Sequence, residues 1–233
     1  KLKNKQIKNI QTKTQTKLNE IKKKQHFFKG EFEKKSKFLC MFCGGKNCPK
    51  ENYLKNPNIN AIEGLHSDWI NNDILAMQRP SSRIIKDFNL IQQFKNNKIK
   101  AVFNLQLPGE HPYCGDNLNI NSGFTYSIEE FTDNNIYFFN YGWTDMTVTN
   151  PTYMMKIMSS IDFIISQGYK ISVHCHAGTG RTGLVIASWL IFNEGMSYEQ
   201  ARNLFKQKRK GGLGKNIQKI FLKEFQECLF KFL

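Results

Sequence analysis

An α/β fold, with a central, mostly parallel twisted sheet flanked by helices, is predicted for this 233-residue chain by two observations. Beyond about Met41, short β-rich apolar runs alternate with helical ones, and a glycine-rich stretch stands where one such run gives way to a helix. Alternation of this kind argues for a layered arrangement, because a connection between parallel strands needs the length of a helix to cross over. With 40% hydrophobic residues the chain has enough apolar material for one packed core.

Residues 1–38 read as a basic polar leader, helical or disordered, with the domain proper over residues 39–233. Residues 1–37 hold thirteen lysines against three glutamates and so carry most of the net charge of +15. Ile7, Ile10, Leu18 and Ile21 sketch only a thin helical stripe there. Lysine and asparagine are abundant along the whole chain and the domain is only modestly basic, so nucleic acid is not the expected partner. A weak contact of the leader with an anionic surface is the remaining use of its charge. The first thirty residues lack an apolar core, so no secretory signal is expected. The longest apolar run, Leu184 to Phe192, is nine residues, far short of the roughly 20 that span a bilayer. A cytoplasmic location follows as the expectation.

Within the domain, "DILAMQ" (73–78), "AVFNLQ" (101–106), "IYFFNY" (136–141) and "KISVHC" (170–175) read as buried strands. One helix is expected over Ser82 to Lys95. Another opens at Asn150 and Pro151, a cap residue with proline in the first turn, and stops near Gly168. Two or three more follow Arg181, the second starting with the capping-box pattern "SYEQ" at Ser197.

Six cysteines, at positions 40, 43, 48, 114, 175 and 228, are expected to be reduced thiols in a reducing compartment. The C-x2-C-x4-C spacing of Cys40, Cys43 and Cys48 invites a zinc reading, but a tetrahedral site needs a fourth ligand. Neither His66 nor Cys114 stands at motif spacing, so buried thiols are the expectation.

The stretch "VHCHAGTGRTG" (Val173 to Gly183) carries the chemistry. It lies at a strand-to-helix junction, where open α/β sheets hold their ligands. A glycine-rich loop there points successive backbone N–H groups inward, and the helix N-terminus adds the positive end of its dipole, which together make an anion cradle. Arg181 offers a planar fork that matches two oxygens of a tetrahedral anion. The same field favours a thiolate at Cys175, and that thiolate is a nucleophile able to attack phosphorus. Thr182 can offer its hydroxyl to the sulfur, and His174 is expected to orient the loop. The other glycine-rich phosphate motif, G-x-x-x-x-G-K-[ST], is absent. A leaving oxygen needs a proton, and Asp145, thirty residues upstream in "YGWTDMTVTNP", is the candidate acid on a loop able to cover the site.

The H-C-x-x-G-x-x-R-[ST]-G pattern preceded by "WTD" resembles the cysteine-dependent protein tyrosine phosphatases, on their compact dual-specificity side. "ILAMQRPSSR" (74–83), "VFNLQLPGEHPYCG" (102–115), "SGFTYS" (122–127) and "IYFFNYGW" (136–143) extend that resemblance over about residues 43 to 225. The resemblance implies Cys175 as nucleophile and Asp145 as general acid. Arg181 and the amides of His176, Ala177, Gly178, Thr179, Gly180 and Arg181 become the phosphate site, and Gln218 positions hydrolytic water. It implies no metal or other cofactor. It also implies a phosphoprotein as partner, with a centrosomal or ciliary location as one option. Thr144 departs from the family's tryptophan-proline-aspartate pattern. Phosphotyrosine, with phosphoserine and phosphothreonine beside it, is the expected substrate; a phosphoinositide phosphatase and a non-catalytic phosphate-binding module are the alternatives. Lipid-directed relatives tend to carry lysines in the loop, where this chain has His176, Ala177 and Thr179. A protonated His176 and the basic run of residues 206–215 would supply the missing charge, and "RPSSR" is a candidate lining of the entrance.

Overall fold

The structure, a computed structural model, describes residue 40, residues 45–48 and residues 60–231. The basic leader and Cys43 lie outside the described residues. Five strands form one sheet: β1 (Ser67–Trp69), β2 (Ile74–Met77), β3 (Ile99–Asn104), β4 (Tyr137–Asn140) and β5 (Lys170–His174), in the order β1-β2-β5-β3-β4. β1 pairs antiparallel with β2, and every other pairing is parallel. All four strands expected from sequence are present. β1 was not foreseen, because three residues, Ser67, Asp68 and Trp69, carry no run of alternating apolar character. β4 is half-exposed rather than buried, since it is an edge strand.

The central strands are apolar throughout because both faces are covered. Ile74 and Ala76 of β2 point into one core with Phe103, Ile171 and Val173, while Leu75 and Met77 point into the other with Ile99 and Val102. The first core is closed by α4 (Pro151–Ile165), α5 (Arg181–Glu194), α6 (Tyr198–Lys208) and α7 (Asn216–Phe230); the second packs against α1 (Ser82–Asp87), α2 (Leu90–Asn96) and α3 (Glu129–Thr132).

The single helix expected over 82–95 is two. Phe88 ends α1, and Asn89 takes a left-handed conformation (φ 47°) before α2 begins, a conformation that asparagine tolerates better than most residues. The other helix signals hold. Asn150 accepts a hydrogen bond from the Tyr153 amide with Pro151 in the first turn, and Ser197 and Gln200 form a reciprocal capping box. The apolar run 184–192 belongs to α5, which is buried continuously from Arg181 to Ile191, so its hydrophobicity serves the core. Among the described residues no helix is long and apolar enough to cross a membrane.

α4 buries Met154, Ile157, Met158, Ile161 and Ile164, a helical stripe, and leaves Phe163 56% exposed. Ile161→Ala is expected to lower unfolding free energy by about 2–5 kcal/mol and Phe163→Ala by no more than about 0.5 kcal/mol, read from urea titrations.

Candidate active site

β5 lies between β2 and β3 at the middle of the sheet, so the loop that leaves its carboxyl end, Cys175 to Gly180, opens at the centre of the sheet edge and runs straight into α5. Two features set its shape. Gly178 has φ 68°, and a Cβ there would lie 2.0 Å from the Met77 carbonyl oxygen, so the loop can lie against β2 only with glycine at this position. From the end of α6, the fully buried Arg209 donates to the carbonyls of Ala177, at 3.0 Å, and of Gly178. Its own charge is met by Asp68 Oδ2 at 2.6 Å. With these carbonyls tied to Arg209, no amide from Ala177 to Arg181 donates to another protein group among the described residues. A row of unspent donors at a helix N-terminus is an anion site. Cys175 lies beside it, 4% exposed, in a cavity of about 220 Å³.

Arg181 is held from several sides. Its Nη1 donates to the carbonyls of Leu105 (2.9 Å) and Trp143 (2.7 Å) and to Glu110 Oε1 (2.9 Å), and its Nη2 donates to Glu110 Oε2 (2.7 Å). Nη2 also lies 3.2 Å from Asp145 Oδ1. Burial opposes the guanidinium charge, but Glu110, then Cys175 and Asp145, outweigh it and raise the pKa above the ordinary arginine range. Nε is buried and has no hydrogen-bond partner among the described residues, so one donor of the fork is left for a ligand.

Asp145 comes to the same cavity, with Met146 and Thr147 beside it. The loop that carries it is a tight turn in which Thr147 Oγ1 donates to the Thr144 carbonyl at 2.7 Å. Burial pushes the Asp145 carboxyl up; the His111 hydrogen bond to Oδ2 (3.1 Å) and the Arg181 charge overcome it and hold the group well below the usual carboxylate range. In this conformation Asp145 is therefore a carboxylate.

The remaining sequence candidates fall into place unequally. His174 is buried, with Nε2 2.9 Å from the Tyr126 hydroxyl and Nδ1 3.1 Å from the Cys175 carbonyl. Burial lowers its pKa to about 3, so it is a neutral loop support. Gln218 lies at the cavity wall, its Oε1 accepting from the Lys215 amide at 3.2 Å and its Nε2 near Gly180. Thr182 is fully buried, and among the described residues its hydroxyl makes no hydrogen bond, to Cys175 or to any other group. His176 is not a cationic wall: it is buried, with a pKa lowered to about 3 chiefly by that burial, and it stacks on His111 with ring centroids 3.9 Å apart. The "RPSSR" segment serves structure instead of the entrance. Arg79 is buried and donates to the carbonyls of Glu110, His111 and Cys114, while Ser81 caps α1. The basic run does reach the cavity, through Gly211, Gly214 and Lys215.

Sequence reasoning missed Glu110, Arg209 and His111. No spacing connects them to the loop; Glu110 and His111 do stand in the "LPGEHPYCG" segment that the family resemblance singled out.

The family model for the dual specificity phosphatase catalytic domain matches residues 84–228. The chain belongs to the dual-specificity phosphatase family. It is 43% identical over 190 residues to Protein tyrosine phosphatase domain-containing protein 1 of Danio rerio, covering 81% of this chain and 26% of the relative. Against the Bos taurus protein of the same name the identity is 40%, over 81% of this chain and 24% of the relative. The chain thus spans about a quarter of the length of these relatives. Among solved structures, that of Tk-PTP in the active form aligns with a TM-score of 0.57 at 24% identity, covering 69% of this chain and 96% of that one, a likeness of fold.

Removing the carboxylate that neutralises Arg181 leaves a buried charge without its main partner. Glu110→Ala is expected to destabilise the fold by about 3–5 kcal/mol in urea unfolding, and Glu110→Gln by less. Acidification acts through the histidines. An unfolded chain protonates His174 from about pH 6.5 downward, whereas the folded chain holds it neutral until about pH 3, so its contribution is complete above pH 6.5 and is lost as the pH falls through that window. Unfolding free energy is expected to drop by at least about 1 kcal/mol between about pH 7 and about pH 5.5, with a shallower drop in His174→Gln.

Proposed function

We propose that this domain hydrolyses phosphomonoesters on proteins, phosphotyrosine first and phosphoserine or phosphothreonine beside it, through a cysteinyl-phosphate intermediate. One observation carries the reading: the unspent amides of Ala177 to Arg181, the unpartnered Nε of Arg181 and the thiol of Cys175 all belong to the one loop at a single cavity. Donors aimed at an anion beside a nucleophile suit a phosphoryl group better than any neutral substrate.

In the first step the Cys175 thiolate attacks phosphorus, an S–P bond forms, and the P–O bond to the substrate oxygen breaks. The leaving oxygen takes its proton from Asp145. As a carboxylate paired with Arg181, Asp145 is in the wrong protonation state for this. A phosphate dianion on the loop supplies the reason for change, because it neutralises Arg181 and places negative charge beside Asp145, and both effects favour the protonated carboxyl. In the second step Asp145, now a carboxylate again, takes a proton from water as the water oxygen attacks phosphorus. The S–P bond breaks, and phosphate and thiolate are regenerated. Gln218, at the cavity wall, is assigned the positioning of that water.

The protein reading is preferred to the phosphoinositide reading because the slots that would meet extra phosphates offer no charge: His176 is buried and neutral, and the other two are Ala177 and Thr179. Cavity-lining Lys215 is the cation of the rim. Turnover on phosphoinositide liposomes exceeding that on phosphopeptides would overturn the choice.

Cys175→Ser is expected to abolish turnover of an aryl phosphate while keeping affinity for a phosphate analogue such as tungstate, since the amide cradle is intact. Substantial residual turnover would remove the cysteine from its role. Asp145→Ala is expected to cut kcat by about 100-fold to 10,000-fold, with loss of one limb of the pH–rate profile.

A further inference from the structure

A second cluster of reactive side chains lies next to the catalytic loop and takes no part in the chemistry above. Cys40 Sγ and Cys114 Sγ each stand 3.9 Å from His111 Nδ1, and the three ligand atoms lie within 4.8 Å of one another, all buried. Cys48 joins Cys40 and Cys114 in one buried group, its sulfur 4.0 Å from His176 Nε2. We propose that Cys40, His111 and Cys114 bind a structural zinc ion, with the thiol of Cys48, in the same buried group, as the fourth donor.

Four observations carry this assignment. The first is geometry. Zinc sits about 2.3 Å from sulfur and about 2.0 Å from imidazole nitrogen, which makes a tetrahedral sulfur–nitrogen edge about 3.5 Å. The two edges seen here are within a few tenths of an ångström of that, and one of them joins residues 71 positions apart in the chain.

The second is donor chemistry. Thiolates with imidazole suit zinc and disfavour magnesium, calcium or manganese, which take oxygen.

The third is spacing. His111 and Cys114 are separated by two residues in an H-x2-C pair, a separation by which a short turn presents two ligands to one metal. Cys48 already stands within 4.8 Å of Cys114 as a further thiol.

The fourth is what surrounds the ligands. Coordination through Nδ1 of His111 fixes the tautomer that carries a proton on Nε2, and Nε2 lies 3.1 Å from Asp145 Oδ2. A carboxylate on the far nitrogen of a histidine ligand is the usual outer partner in zinc sites. Arg79 adds to the fixing of this segment by donating to the carbonyls of both His111 and Cys114.

Each coordinating thiol gives up its proton to solvent as zinc binds, and no electron is transferred. The ion would fasten Cys40 to His111 and Cys114. Through His111 it would also set where Asp145 rests, which makes His111 a positioning residue. A neighbouring trio, Cys48, Cys114 and His176, shares Cys114, but its histidine lies within the loop that leaves β5.

The test uses the full chain purified without chelator and does not depend on the phosphatase reading. About one zinc ion per chain is expected by elemental analysis. Cobalt(II) added to the reduced, metal-stripped chain is expected to give the strong visible bands of tetrahedral cobalt with thiolate ligands. Cys40→Ser and Cys114→Ser should each lose the metal, and Cys228→Ser should keep it. The cobalt spectrum of the unaltered chain decides the matter even if the variants do not fold. Absence of stoichiometric zinc together with absence of the thiolate–cobalt bands overturns the site. Metal kept in Cys40→Ser but lost in Cys48→Ser overturns the ligand set in favour of the neighbouring trio.

Discussion

Arg181 is so deeply buried that its charge has to be balanced by the protein, and Glu110 does this with two parallel hydrogen bonds of 2.9 and 2.7 Å. The rest of the site depends on that pair. Charge-assisted bidentate bonds fix the plane of the guanidinium as well as its position. With the Leu105 and Trp143 carbonyls also accepting from Nη1, the fork cannot rotate away from the loop. These contacts draw together the end of β3, the Glu110 loop and the Asp145 loop around the first residue of α5. A buried ion pair of this type is weak evidence for net stability. Here it gives a cationic group that is pre-aimed before any ligand arrives.

A second arginine does the complementary work on the backbone. Arg209 holds the carbonyls of Ala177 and Gly178 and is itself neutralised by Asp68 of β1. The shortest and least conspicuous strand of the sheet therefore has a function: it supplies the counter-charge for the residue that orients the anion loop. Preorganisation of this kind has its value in the transition state, because donors already aimed need not reorganise when charge develops.

Asp145 links the two ends of this system. It is shared between Arg181 and His111, and its carboxyl is held ionised by both. On the proposed mechanism, the site stores its acid as a counter-ion. On that mechanism, bound phosphate would take the place of the carboxylate beside Arg181, so occupancy and protonation of Asp145 would be coupled through one guanidinium. His111 anchors the other oxygen, and its own anchorage in the cysteine cluster is what the zinc proposal explains.

The sequence by itself determined the sheet, its helices and the loop, because these rest on local signals: apolar runs for strands covered on both faces, Asn150 with Pro151 and Ser197 with Gln200 for helix starts, and a glycine-rich turn between β5 and α5. That Cys175, Arg181 and Asp145 come to one place was legible in the same way, the first two through their spacing in one stretch and the third through the segment that precedes it, and all three line one cavity. The tertiary structure alone decided what depends on distance through space. Phe88 and Asn89 split one expected helix into two, Glu110 was paired with Arg181, and Asp68 was paired with Arg209. His176 became a buried neutral ring, although as a lone letter it was a possible cation. Cys114, set aside because no motif spacing tied it to Cys40, stands beside Cys40 and His111. Spacing in the chain reports only contacts that a turn or a helix can make, whereas buried charge and buried thiols find their partners across the fold.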